Sequence, residues 1–124
     1  MYFYAKNNAW LIDTTINLNE NEAKLGSDGK FLFSLGKLPK GARVVLVNVA
    51  VKTAGTGNFK VGFEETADFF HNDVDLMKVT QTTSHNQVTL SKTEEIYLQV
   101  DAKNAGVVET SVMFFMPNRA KYEA

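Results

Sequence analysis

The chain has 124 residues, no cysteine, 13 basic against 14 acidic side chains and a formal net charge of −1, the size of one domain able to bury about two-thirds of the surface its unfolded form exposes. Without cysteine there are no disulfide frameworks, thiolate zinc sites or cysteine nucleophiles. Balanced charge argues against nucleic acid or a membrane surface as a dedicated partner, because both select a basic excess.

Residues Met1–Asn8 lack the charged stretch and long apolar run of a signal peptide. The longest mainly apolar run, Val44 to Val51, is far short of the roughly 20 residues that span a bilayer. A soluble protein, made in a cytoplasm and not exported by the usual route, is expected.

Val, Ile, Thr, Phe, Tyr and Trp make up about a third of the chain, a composition suited to pleated, half-buried surfaces. Tyr2, Phe3 and Tyr4 come first, followed by a Lys6-Asn7-Asn8 joint, and read as either an extra edge strand or a docking arm. Period-two alternation then predicts strands. Trp10, Ile12, Ile16 and Leu18 share one face, opposite Leu11, Asp13, Thr15 and Asn17. Phe31, Phe33 and Leu35 follow a Ser27-Asp28-Gly29 turn; Val45, Val47, Val49 and Val51 form the next stripe, then Phe59, Val61 and Phe63.

The segment Glu64 to Asp75 breaks the pattern and reads as a long loop or one helical turn near Thr66 to Phe70. Weaker strands fit Met77 to Thr82 and Gln87 to Ser91, before Ile96, Leu98 and Val100, and finally Val108, Thr110, Val112, Phe114 and Met116. Ala54–Asn58 and Ala102–Gly106 carry the Gly and Asn residues that tight reversals need. These elements predict an all-β fold: a single antiparallel β-sandwich of about eight strands, jelly-roll-like. The expected organisation is an arm or edge strand over 1–8, a sandwich over 9–118 and a tail over 119–124. Val47, Val49, Val61, Ile96, Leu98 and Phe114 are its expected core.

Candidate chemistry is sparse. Glu64, Glu65, Asp68, His71, Asp73 and Asp75 form the densest group of potential ligands, but no calcium-loop signature is present, and a solvated acidic loop is the expectation. Glu64-Glu65 and Glu94-Glu95 are adjacent carboxylates, which in a strand point to opposite faces. An acid–base pair would need the fold to bring one from each together. No G-x-S-x-G elbow supports a serine nucleophile. Lys30, Lys37, Lys40 and Arg43 interleave with Phe31 and Phe33 like an oligonucleotide platform. Yet those phenylalanines are the core-facing pair of a strand. No catalytic, cofactor or metal site is expected, and the chain is not expected to be an enzyme.

The last strand is apolar on both faces, since Val107, Met113 and Phe115 lie opposite the Val108–Met116 stripe. One face fills the core, which leaves the other for a partner. With Tyr2, Phe3 and Tyr4, too apolar a group to stay exposed, these residues are the expected protein-interaction set.

One stretch carries a family resemblance. Gly36-Lys-Leu-Pro-Lys-Gly-Ala-Arg-Val-Val-Leu-Val-Asn-Val-Ala-Val51, continuing through Thr53–Phe63, resembles a motif of small structural proteins of tailed bacteriophages: a strand ending in L-P-K-G-A, a valine-rich strand, a glycine turn and a strand ending in V-G. The resemblance implies a virion structural protein, foremost a capsid cement or decoration protein that binds the assembled head, with the major capsid protein as partner. It further implies a homo-oligomer, a trimer by analogy, on the capsid surface after synthesis in the host bacterial cytoplasm. A tail or fibre adhesion module and a carbohydrate-binding β-sandwich are the alternatives.

Overall fold

The computed structural model describes residues 9–116, so the expected arm over 1–8 and tail over 119–124 fall outside the described residues. Ten strands follow in chain order: β1 (Ala9–Asn17), β2 (Lys24–Leu25), β3 (Phe31–Leu38), β4 (Arg43–Thr53), β5 (Asn58–Phe63), β6 (His71–Asp75), β7 (Gln81–Ser84), β8 (Val88–Thr89), β9 (Glu94–Val100) and β10 (Val107–Phe115). No helix occurs among the described residues. One five-stranded sheet runs β1-β10-β4-β7, with β8 also on β4; the other runs β2-β3-β9-β5-β6. Every pairing is antiparallel. Their inner faces meet in one core that includes Phe33, Val47, Val49, Phe59, Val61, Ile96, Leu98 and Phe114, the arrangement of a β-sandwich.

Strand number is the first correction: ten strands, not about eight. Two-residue β2 is too short to show alternation. The segment expected as a loop or helical turn supplies β6, hidden because its period-two pattern is broken. Phe59 pairs with Val74 and Val61 with His71, so Asn72 and Asp73 together oppose Lys60, and Asp73 has φ 51°. That extra residue is a β-bulge, which resets which side chains face inward. The 64–70 segment holds bends and turns, and Phe69 and Phe70 pack against Phe63 as tilted rings with centroids 5.6 and 5.5 Å away.

A second bulge corrects the valine stripe. β4 pairs Leu46 with Met113 but Val44 with Phe114, so Val45 is the extra residue and is only half-buried, while Val44 fills the core. Trp10 is a third correction. Its position alternates with Ile12 and Ile16, yet it is 57% exposed, because it is the second residue of edge strand β1, which among the described residues has a neighbouring strand on one side only.

The Pro39–Ala42 segment carries the chain from one sheet to the other. The Ala42 N–H donates to the Pro39 carbonyl at 3.1 Å, and Gly41, third in that turn, has φ +92°, the positive value that a type II turn reserves for glycine. Gly41 N–H also donates to Leu90 O at 2.8 Å, and Leu90 N–H returns a bond to Ala42 O at 2.9 Å. The turn is thereby locked against the β8 end of the first sheet.

Candidate interaction surface

The outer face of the first sheet is set by its registers. Side by side across β1, β10 and β4 stand Ala9, Phe115 and Arg43; then Leu11, Met113 and Leu46; then Asp13, Ser111 and Asn48; then Thr15, Glu109 and Ala50; and last Asn17, Val107 and Thr53. The middle rows are mostly polar, and the Asp13, Ser111 and Asn48 row is hydrogen-bonded within the protein. Ser111 Oγ donates to Asp13 Oδ1 at 2.6 Å, and Thr83 Oγ1 donates to Asn48 Oδ1 at 2.6 Å. The rows nearest Ala9 are apolar: Leu11 is 53% exposed, Leu46, Met113 and Phe115 are half-buried, and the Arg43 guanidinium lies 5.1 Å from the Phe115 ring centroid. That geometry covers the ring with a cation whose charge still faces solvent.

Of the expected set, the fold brings Met113 and Phe115 together and leaves Val107 apart. Val107 is on the same face but six residues away, about 20 Å along a strand, with Glu109 and Ser111 between. Tyr2, Phe3 and Tyr4 lie outside the described residues. Leu11, Leu46 and Arg43 join the strip and were not expected there. The signal for Leu11 was present: it is the one apolar member of a face otherwise made of Asp13, Thr15 and Asn17.

The other candidates resolve into structural roles. Lys37 is on β3 of the second sheet and Arg43 on β4 of the first, Lys30 pairs with Asp101 at 2.8 Å, and Phe33 is fully buried. The basic residues therefore do not form one platform. Among the would-be ligands, His71 turns inward and is 5% exposed, with Nε2 2.9 Å from the Val47 carbonyl on the opposite sheet. Burial depresses its pKa, which fits a neutral ring whose Nε2–H donates to that oxygen. Asp73 instead pairs with Lys60 at 2.6 Å, and Asp75 accepts the Met77 N–H at 2.8 Å. The three do not converge.

The two glutamate pairs do meet. Glu64, Glu65, Glu94 and Glu95 line one shallow depression of about 170 Å³ with Lys92, Thr93 and Tyr97. Glu64 pairs with Lys24 at 2.9 Å and Glu65 with Lys92 at 3.7 Å. Glu95 accepts the Tyr97 hydroxyl at 3.0 Å. Its carboxyl is held below the usual range, first by a hydrogen bond from Ser34 and then by Tyr97. That shift takes Glu95 away from the range of an acid catalyst, and Glu64 and Glu65 are engaged in ion pairs.

Fold and surface together define an antiparallel β-sandwich that presents contact area. No protein-family model and no curated protein matches the chain. Among solved structures it is similar to a chain of the acidic stable capsid of Helicobacter pylori bacteriophage KHP30, at 25% identity and TM-score 0.66, with 88% of each chain covered. It is also similar in fold to a chain of the cyanophage Pam1 capsid asymmetric unit, at 15% identity and TM-score 0.61, with 90% of this chain and 86% of that one covered. The resemblance to bacteriophage structural proteins read from Gly36–Val51 thus extends to whole-chain likeness to phage capsid chains.

Proposed function

We propose that this chain is a virion structural protein of a bacteriophage, a cement or decoration protein that binds and stabilises the assembled head. The observation that carries this reading is the likeness to the KHP30 capsid chain over 88% of both chains, which makes the two comparable in length as well as in fold. The strand order supports a jelly roll, because the chain alternates between sheets in the sequence β1, β2–β3, β4, β5–β6, β7–β8, β9, β10. The apolar strip of Leu11, Met113 and Phe115, capped by Arg43, suits contact with the major capsid protein or a second copy, since apolar anchors with arginine are favoured at interfaces. A homo-oligomer on the capsid surface, a trimer by analogy, made in the host cytoplasm, completes the reading. Trp10 is the one aromatic more than half exposed among the described residues, which gives a carbohydrate-binding face little to stack on.

Purified protein mixed with heads that lack it, imaged by cryo-electron microscopy, tests this directly. Ordered occupancy on the head surface is expected. Density confined to the tail tip would transfer the protein to the adhesion class, and specific hits on a glycan array would favour the lectin class.

A further inference from the structure

The four edges of the sandwich are not alike. In the second sheet, β2 is two residues long, and β6 is bulged at Asp73 and clamped by Lys60. On the far side of the first sheet, β7 and β8 are separate short pieces. Brevity, bulges and lysine are the usual means of blunting an edge. β1 has none of them. It runs nine residues in unbroken register with β10, contains no lysine, arginine or proline, and carries a single charge, Asp13. Among the described residues no strand pairs with its outer edge.

The sheets are also unequal in width on this side. Ile12 of β1 lies against Gly36 of β3, so β1 covers β3, while β2 extends one strand further. Beside β1 and above β2 there is therefore one vacant strand position, whose floor includes Leu25, 62% exposed. A second sandwich placed edge to edge there would drive its own second sheet into β2. A single extended segment fits.

We propose that the segment is residues 1–8 of a second copy, added antiparallel to β1 with Lys6 opposite Asp13. The segment directly precedes Ala9, and its eight residues reach about 26 Å when extended, close to the length of β1. Lys6 is its only charged side chain and Asp13 the only one of β1, so one register alone pairs them. That register sets Tyr4 opposite Thr15 and Phe3 opposite Ile16, with Phe3 on the inward face, and the ladder ends before Asn17, whose N–H donates to Asn21 Oδ1 and whose carbonyl accepts from the Glu20 and Asn21 amides. The same chain cannot supply this pairing. Lys6 would have to lie four positions along β1 from Ala9, about 13 Å, whereas three virtual bonds of 3.8 Å span at most about 11 Å. Donation from one copy to the next is a head-to-tail contact, which closes into a ring where the rotation between copies closes, the geometry of a trimer. The inference rests on the self-association proposed above, not on the head as its location.

The test needs only the purified full chain, read by analytical ultracentrifugation. Oligomers are expected at micromolar concentration. Lys6→Asp and Asp13→Lys should each weaken association tenfold or more by opposing like charges, and the double swap should restore it. Hydrogen exchange should show protection of the outward-facing Asp13 and Thr15 amides that is lost when residues 1–8 are deleted, while the Thr14 and Ile16 amides, which face β10, stay protected. Oligomers that survive the deletion would overturn the proposal and assign association to the sheet faces. A monomer at every concentration, with a melting temperature lowered by the deletion, would overturn it in favour of an edge strand within one chain. Failure of the double swap to rescue would overturn the register.

Discussion

His71 shows how one side chain can tie the two sheets together. Its Nε2 reaches the Val47 carbonyl across the core from edge strand β6, and burial lowers its pKa below the ordinary histidine value. The unfolded chain therefore takes up a proton before the folded one does. The unfolded state binds more protons as pH falls below about 6.5, so stability drops in that range and levels off once the folded ring is also protonated. Chemical denaturation between pH 8 and pH 5 should show this loss. His71→Gln should remove its histidine-dependent part while lowering stability at pH 8.

Gly62 works by what it leaves out. A Cβ there would run into the Thr66 and Ala67 carbonyl oxygens and the Phe69 amide, because the 64–70 segment folds back over β5. Gly62→Ala should cost about 1–3 kcal/mol, measurable by urea titration, and should loosen the Phe63–Phe69–Phe70 cluster.

At the scale of elements, β4 and β9 carry the sandwich. β4 is paired on both sides, by β10 and by β7 with β8, and β9 is flanked by β3 and β5. Leu98 of β9 sits opposite Phe33 on one neighbour and Val61 on the other, with no exposed surface. Leu98→Ala should cost about 2–5 kcal/mol, as large-to-small core changes do. Far-ultraviolet circular dichroism of the wild type should show β-structure without a helical contribution from the core domain. The Pro39–Ala42 turn does comparable work between elements, since it sets the angle at which β3 leaves one sheet and β4 enters the other.

For the whole molecule, association and folding depend on different residues. Leu11 is half in solvent and Met113 lies on the outer face, so polar changes there should leave the core intact. Leu11→Asp with Met113→Gln should shift the melting temperature by only a few degrees, because surface changes away from special features cost about 0.5 kcal/mol or less each. If this strip is the docking face, the same pair should abolish occupancy on heads. Unchanged occupancy would move the docking face to another surface of the sandwich.

Alternation by itself determined the class of fold and most of the core. Val47, Val49, Val61, Ile96, Leu98 and Phe114 are all buried as their periodicity requires, because a strand facing one core cannot hide a period-two stripe. The P-K-G-A turn has a local cause as well, since its third position needs a positive φ that glycine takes without strain. Tertiary structure decided the rest. The bulges at Val45 and at Asn72-Asp73 arise from pairing with neighbours distant in sequence, and each reverses which side chains face the core. Whether Glu64-Glu65 would meet Glu94-Glu95, and whether Lys37 would stay near Arg43, depended on which strands share a sheet. The contact strip followed the same rule: Leu11, Leu46 and Met113 come from three strands, and only the registers of β1 and β4 on β10 place them in one row.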